Sequence, residues 1–108
     1  MNDDFTLNWL GIDFDDVIAH NTGYPDFTPT EPLNGVREAL DKLHFDGWKI
    51  KIYTARPWSD HRKVERYLKD HNIYFDDVIC GKILVKWMID DRNIEFKGDW
   101  KKVLKKIK

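Results

Sequence analysis

Four short clusters of polar residues stand where apolar runs of this 108-residue chain break off. Asp13 and Asp15 close GIDFD, Thr54 and Arg56 follow KIY, Lys82 lies in CGK, and Asp90 and Asp91 end WMIDD. Carboxylates gathered this closely repel one another, and burying any of them without a partner is costly. A hard divalent cation relieves that repulsion, and Mg²⁺ binds through a few carboxylates plus waters and phosphate oxygens. The cation also holds a neighbouring carboxylate deprotonated, as a nucleophile must be. With the Thr54 hydroxyl and the Lys82 ammonium added, the set suits a phosphoryl group. Transfer of that group depends on positioning and on neutralising its equatorial oxygens.

Taken singly, each cluster has an ordinary explanation. Asp is common in turns after strands, Thr54 is a strand former, and Lys82 suits a solvated turn. Asp90-Asp91-Arg92 fits a turn with a local ion pair, and Arg56 before Pro57 fits an exposed loop. All four, in order and each at the end of an apolar run, point instead to a site.

The elements that position these residues alternate. Residues 7–14 (LNWLGIDF) form a short apolar run, as in a strand buried on both faces. Residues 20–32 hold three of the four prolines and a glycine, the composition of a loop or small hairpin. Pro32 and Asn34 open a helix with Val36, Leu40 and Leu43 at helical spacing, and Gly47 ends it. Residues 48–54 (WKIKIYT) alternate as a strand does. Pro57 suits the first turn of the next helix, with Asp60 or Ser59 as its cap, and Val64, Tyr67 and Leu68 share one face. That helix is expected to run to about Asn72. Residues 75–80 and 85–89 read as strands, and residues 94–96 as a last edge strand. Trp100, Val103, Leu104 and Ile107 mark an amphipathic C-terminal helix whose lysines form its solvated face.

Strands alternating with helices predict a parallel sheet covered on both faces, with ligands bound beyond the carboxyl ends of the strands. The length suits one domain, residues 1–108, with a single core. A net charge of −1 gives no global case for nucleic-acid or membrane binding. No run approaches the ~20 apolar residues of a membrane span, and no leader pattern opens the sequence. The single Cys80, set in an apolar run, excludes an internal disulfide and a Cys-based zinc site. The expectation is a soluble cytoplasmic protein. Five Trp fit a tightly packed small core better than an exposed association surface.

At this point the sequence resembles the haloacid dehalogenase (HAD) superfamily. GIDFDDVIA is similar to its first motif, a strand followed by Asp-x-Asp. IYTARP is similar to its second, Lys82 to its third-motif lysine, and WMIDD to its fourth. Lys82 stands eight positions before Asp90, as in the lysine-to-acid segment of small HAD phosphatases, and the motifs span residues 7–92. The resemblance implies a Rossmann-like three-layer α/β sandwich with a mainly parallel sheet. It also implies a Mg²⁺-dependent phosphatase acting on a phosphomonoester through an aspartyl-phosphate. Asp13 would attack phosphorus. Asp15 would protonate the leaving group and then draw a proton from water. Thr54 would hydrogen-bond the phosphoryl group, and Lys82 would neutralise it. Thr54, Ala55, Arg56 and Lys82 would contact the substrate. Asp13, the Asp15 carbonyl, Asp90 and Asp91 would hold the metal, with Asp91 favoured as the direct ligand. Lys86 is a rival to Lys82 but lies inside a strand run.

Where many family members carry Gly-Thr after the second Asp, this chain has Asp16-Val17. The 41 positions from Asp13 to Thr54 hold only a loop, a helix and a strand, so no cap domain fits. Capless relatives act on larger substrates or close the site by oligomerising. Residues 17–32, with Tyr24 and Phe27, fit a flap over the site and equally a plain Pro-rich connector. Arg56, Trp58, His61 and Arg62 suit the leaving group of a sugar phosphate, a nucleotide or a phosphorylated polynucleotide end, and suit an exposed helix start as well. Transfer to an acceptor other than water uses the same residues. A receiver-like phospho-acceptor would end its second strand in Asp where this chain has Thr54. A non-catalytic binding domain would not need every catalytic position filled.

Overall fold

The computed structural model describes residues 8–20, 30–81 and 94–107. Three parallel strands, β1 (Trp9–Asp13), β2 (Lys49–Tyr53) and β3 (Asp77–Ile79), pair in the order β1-β2-β3. Helix α1 (Val36–Phe45) connects the first two, and α2 (His61–Asp70) the second and third. Helix α3 (Trp100–Lys106) follows. The register sets Ile12 beside Ile52 and Asp13 beside Tyr53, so β1 and β2 end at the same level.

Alternation decides which sheet face is buried. Ile12, Ile50, Ile52 and Val78 lie in one cluster with Val36, Ala39, Leu40 and Leu43 of α1, Val64, Tyr67 and Leu68 of α2, and Trp100 of α3. Burying each large aliphatic side chain among these contributes about 1.5–3 kcal/mol before entropy is set against it. Trp9, Gly11, Lys49 and Lys51 lie on the other face, where Gly11 and Lys49 are exposed. Lys51 Nζ sits 4.7 Å from the centre of the Trp9 ring. A Cβ at Gly11 would come within 3.3 Å of the Tyr53 ring, so glycine lets that ring cross β1 closely.

Several expectations are met and several corrected. Gly47 (φ +100°) follows α1, and its amide donates to the His44 carbonyl. Among the described residues the helices gather on one face of the sheet. Sequential neighbours joined by right-handed crossovers put their helices on one side, and all three helices join the core on the Ile12–Ile50–Ile52 side. Strands β1 and β3 are shorter than the apolar runs suggested. Helix α2 ends at Asp70 and not near Asn72, and a 3₁₀ turn over Trp58–Asp60 precedes it. Asp60 stands at its N-cap, yet no side chain caps either segment. Residues 94–97 form no strand; the Phe96 ring packs instead against Trp100, 5.4 Å between centres. Asp99 caps α3 by accepting from the Lys101 amide at 2.9 Å. No described helix is long and apolar enough to cross a membrane. The expected strand at 85–89 lies outside the described residues.

Candidate active site

The carboxyl ends of β1 and β2 carry the candidate residues. Beyond Asp13 the chain turns sharply. The Phe14 carbonyl accepts from the amides of Ile18 and Ala19, and the Asp16 amide donates to the Ala19 carbonyl at 2.7 Å. Asp16 sits at φ +65°, a left-handed conformation that Asp and Asn tolerate better than other side chains. Asp16 thus takes a backbone conformation that glycine most often fills. Phe14 is buried edge-on against Tyr67, 5.4 Å between centres. The Trp100 indole donates to the Val17 carbonyl at 3.1 Å, so α3 fastens the same turn from outside.

Asp15 is the meeting point of the two strand ends. The Thr54 hydroxyl donates to Asp15 Oδ2 at 2.8 Å. Arg56 donates to Asp15 Oδ1 from Nη2 at 3.0 Å and from Nε at 3.3 Å. The Arg56 amide in turn donates to Thr54 Oγ1 at 3.2 Å. Thr54 has no exposed surface and the Arg56 side chain is 5% exposed, against 21% for Asp15. A charged pair this sheltered is shielded by little water. Arg56 is therefore not the exposed residue that its place before Pro57 suggests, and in this structure its guanidinium engages Asp15. Ala55 is half-buried in the bend between Thr54 and Arg56. Asp13, half-buried at the end of β1, lies two positions before Asp15.

Around this core the third strand end contributes a close turn. The Gly81 amide donates to the Arg56 carbonyl at 2.9 Å, at φ +83°. Cys80 is buried as expected, and desolvation, then the Asp60 and Glu65 carboxylates, push its thiol pKa up. Trp58 is 57% exposed and stacks on His61, 5.2 Å between centres. The Nε2 of His61 lies 3.0 Å from the Val78 carbonyl, a contact in which that nitrogen donates. At the start of the expected flap, the turn at residues 16–18 leads into a bridge: Ile18 and Ala19 are buried, and Ala19 bridges antiparallel to Pro32. Tyr67 donates a short hydrogen bond to the Thr30 carbonyl. Tyr24, Phe27, Lys82, Lys86, Asp90 and Asp91 lie outside the described residues.

The donor set can be tested against a hard cation. Among the described residues no three acidic, imidazole or thiol groups cluster as a metal site. The Asp13 carboxylate and the Asp15 carbonyl are nevertheless oxygen donors at one strand end. These donors fit Mg²⁺ once further acids join them.

The chain is similar in structure to an MCSG target from Vibrio cholerae known from its crystal structure. The TM-score is 0.62 and the identity 24%, over 82% of this chain and 83% of that one. That likeness concerns the fold, a small α/β architecture of Rossmann-like kind, and the name of the Vibrio protein states no function. No protein-family model matches the chain, and no curated protein matches it significantly.

Proposed function

We propose that the chain is a HAD-type, Mg²⁺-dependent phosphohydrolase that works through an aspartyl-phosphate on Asp13. The observation that carries the reading is the convergence of Asp15 with Thr54 across 39 positions of sequence, beside Asp13 at the carboxyl rim of a parallel sheet. In this reading an Asp13 oxygen bonds to phosphorus, and the bond to the leaving-group oxygen breaks with its electron pair moving to that oxygen. Asp15 supplies the proton. In the second step Asp15 takes a proton from water as water bonds to phosphorus, and the phosphorus–Asp13 bond breaks to regenerate the carboxylate. Phosphate is released.

Thr54 has one hydroxyl proton. To bind a phosphoryl oxygen it withdraws that proton from Asp15, so substrate binding and the Asp15 contact exchange places. Lys82 neutralises the phosphoryl group. Asp13, the Asp15 carbonyl, Asp90 and Asp91 would hold the Mg²⁺, which when bound offsets phosphoryl charge and keeps Asp13 ionised. Trp58, exposed two positions beyond Arg56, supports a leaving group with a sugar or base to cover it. A sugar phosphate, a nucleotide or a phosphorylated polynucleotide end meets that need. The buried thiol of Cys80 suits a reducing cytoplasm. Self-association would close a capless site.

The test is hydrolysis of a generic aryl phosphate with and without Mg²⁺, by wild type and Asp13→Asn. Magnesium-dependent release that falls at least ~10³-fold in the variant, with an unchanged unfolding midpoint, is the expected result. Turnover retained by Asp13→Asn would sink the reading.

A further inference from the structure

We propose that Arg56 is a positioning residue that anchors Asp15 through Oδ1 and leaves Oδ2 as its working oxygen, a role that rests on the phosphohydrolase reading. The two carboxyl oxygens are held by different donors. Both guanidinium bonds to Asp15, at 3.0 and 3.3 Å, go to Oδ1, while Oδ2 accepts from Thr54 and not from Arg56. The donors differ in what else they have to do. Thr54 is needed by the phosphoryl group and has a single proton to give. Arg56 is buried, and its rigid fork stays on Oδ1 when the Thr54 proton leaves. The carboxyl group thus keeps its orientation while one oxygen is released.

Oδ2 is then the oxygen that gives a proton to the departing oxygen and takes one from water. A proton in flight needs its donor held within hydrogen-bond reach of the acceptor. In this role Arg56 exchanges no proton and acts through Asp15. This positioning role is distinct from the substrate contact that the family resemblance implies for Arg56.

The role is read from kcat/KM, which reports the first chemical step, over aryl phosphates of similar shape and rising leaving-group basicity. The most acidic phenols depart without a proton and the least acidic need one. With Mg²⁺ present, Arg56→Lys should leave the former nearly unaffected and slow the latter by about 10²-fold. Asp15→Asn should show the same widening loss, and adding Arg56→Lys to it should change nothing further, because the two act as one unit. The double variant also keeps the test open if Arg56→Lys alone unfolds, since it removes the buried charge that Arg56 answers.

A uniform loss across the series would overturn the role and return Arg56 to phosphoryl binding. So would a further loss when Arg56→Lys is added to Asp15→Asn. Wild type active through Asp13 but indifferent to Arg56→Lys overturns this role alone. Wild type unable to hydrolyse any member of the series overturns the phosphohydrolase reading and this role with it.

Discussion

At the carboxyl end of the sheet, Arg56 and Asp15 pair at 3.0 Å with side chains 5% and 21% exposed. At the amino end, across the last turn of α1, Lys42 and Asp46 pair at 2.9 Å with side chains 59% and 45% exposed. The distances are alike and the settings opposite. The exposed pair is an i,i+4 contact on a helix end, screened by water and held by long mobile side chains. The sheltered pair joins residues 41 positions apart, and desolvation opposes it unless its hydrogen bonds are well made. A buried ion pair is weak evidence for stability as such. Its place, shared with a fully buried threonine and next to Asp13, is better explained by orienting a carboxyl group than by fastening the fold.

Removing one partner at each end separates these settings. Arg56→Ala leaves Asp15 partly buried with, among the described residues, the Thr54 hydroxyl as its side-chain donor, so urea unfolding should show a loss of about 2–3 kcal/mol. Lys42→Ala should cost at most about 0.5 kcal/mol, and less in high salt. Equal losses at the two ends would break the contrast.

Two tyrosines sharpen it further. Tyr67, packed on Phe14 near the site, and Tyr74, near the start of β3, both have pKa values raised from 10.0 to about 12. The causes differ. For Tyr67 burial leads, followed by the Glu31 carboxylate. For Tyr74 the leading cause is its hydrogen bond to Asp76 Oδ1 at 2.6 Å. A raised folded-state value favours the neutral phenol. Each tyrosine therefore adds stability that is full below pH 10 and lost as pH rises through about 12. In a titration of tyrosinate absorbance, Asp76→Asn should return one tyrosine toward its ordinary value and leave Tyr67 where it was. A shift of both would mean that a common unfolding, rather than two local causes, sets these values.

Much of the fold was legible because burial imposes a period. Ile50 and Ile52 are buried as the alternation of KIKIY requires. Val64, Tyr67 and Leu68 form the buried face of α2. Thr54 and the acidic pair could be placed at strand ends, and the structure joins Thr54 to Asp15. Residues 94–96 show where pattern reasoning failed: Ile94 and Phe96 are strand formers, but among the described residues they pair with no strand, and Phe96 packs on a ring four residues away. Arg56 was legible as a residue of the site but not as the partner of Asp15. Nothing local to Thr-Ala-Arg-Pro tells that the guanidinium turns inward, because the carboxylate that draws it belongs to another strand end. The fastening of Val17 by Trp100 spans 83 positions and was hidden for the same reason.

The most direct measurement is to find the phosphoryl group. Mixing the protein with Mg²⁺ and an aryl phosphate, quenching in acid and analysing the peptides by mass places any covalent phosphate on a residue. Asp15→Asn, which slows hydrolysis of the intermediate, is run alongside to raise its amount. Phosphate on Asp13, more abundant in Asp15→Asn, is what the account predicts. Turnover with phosphate on another residue would contradict it, as would turnover with no covalent phosphate in either protein.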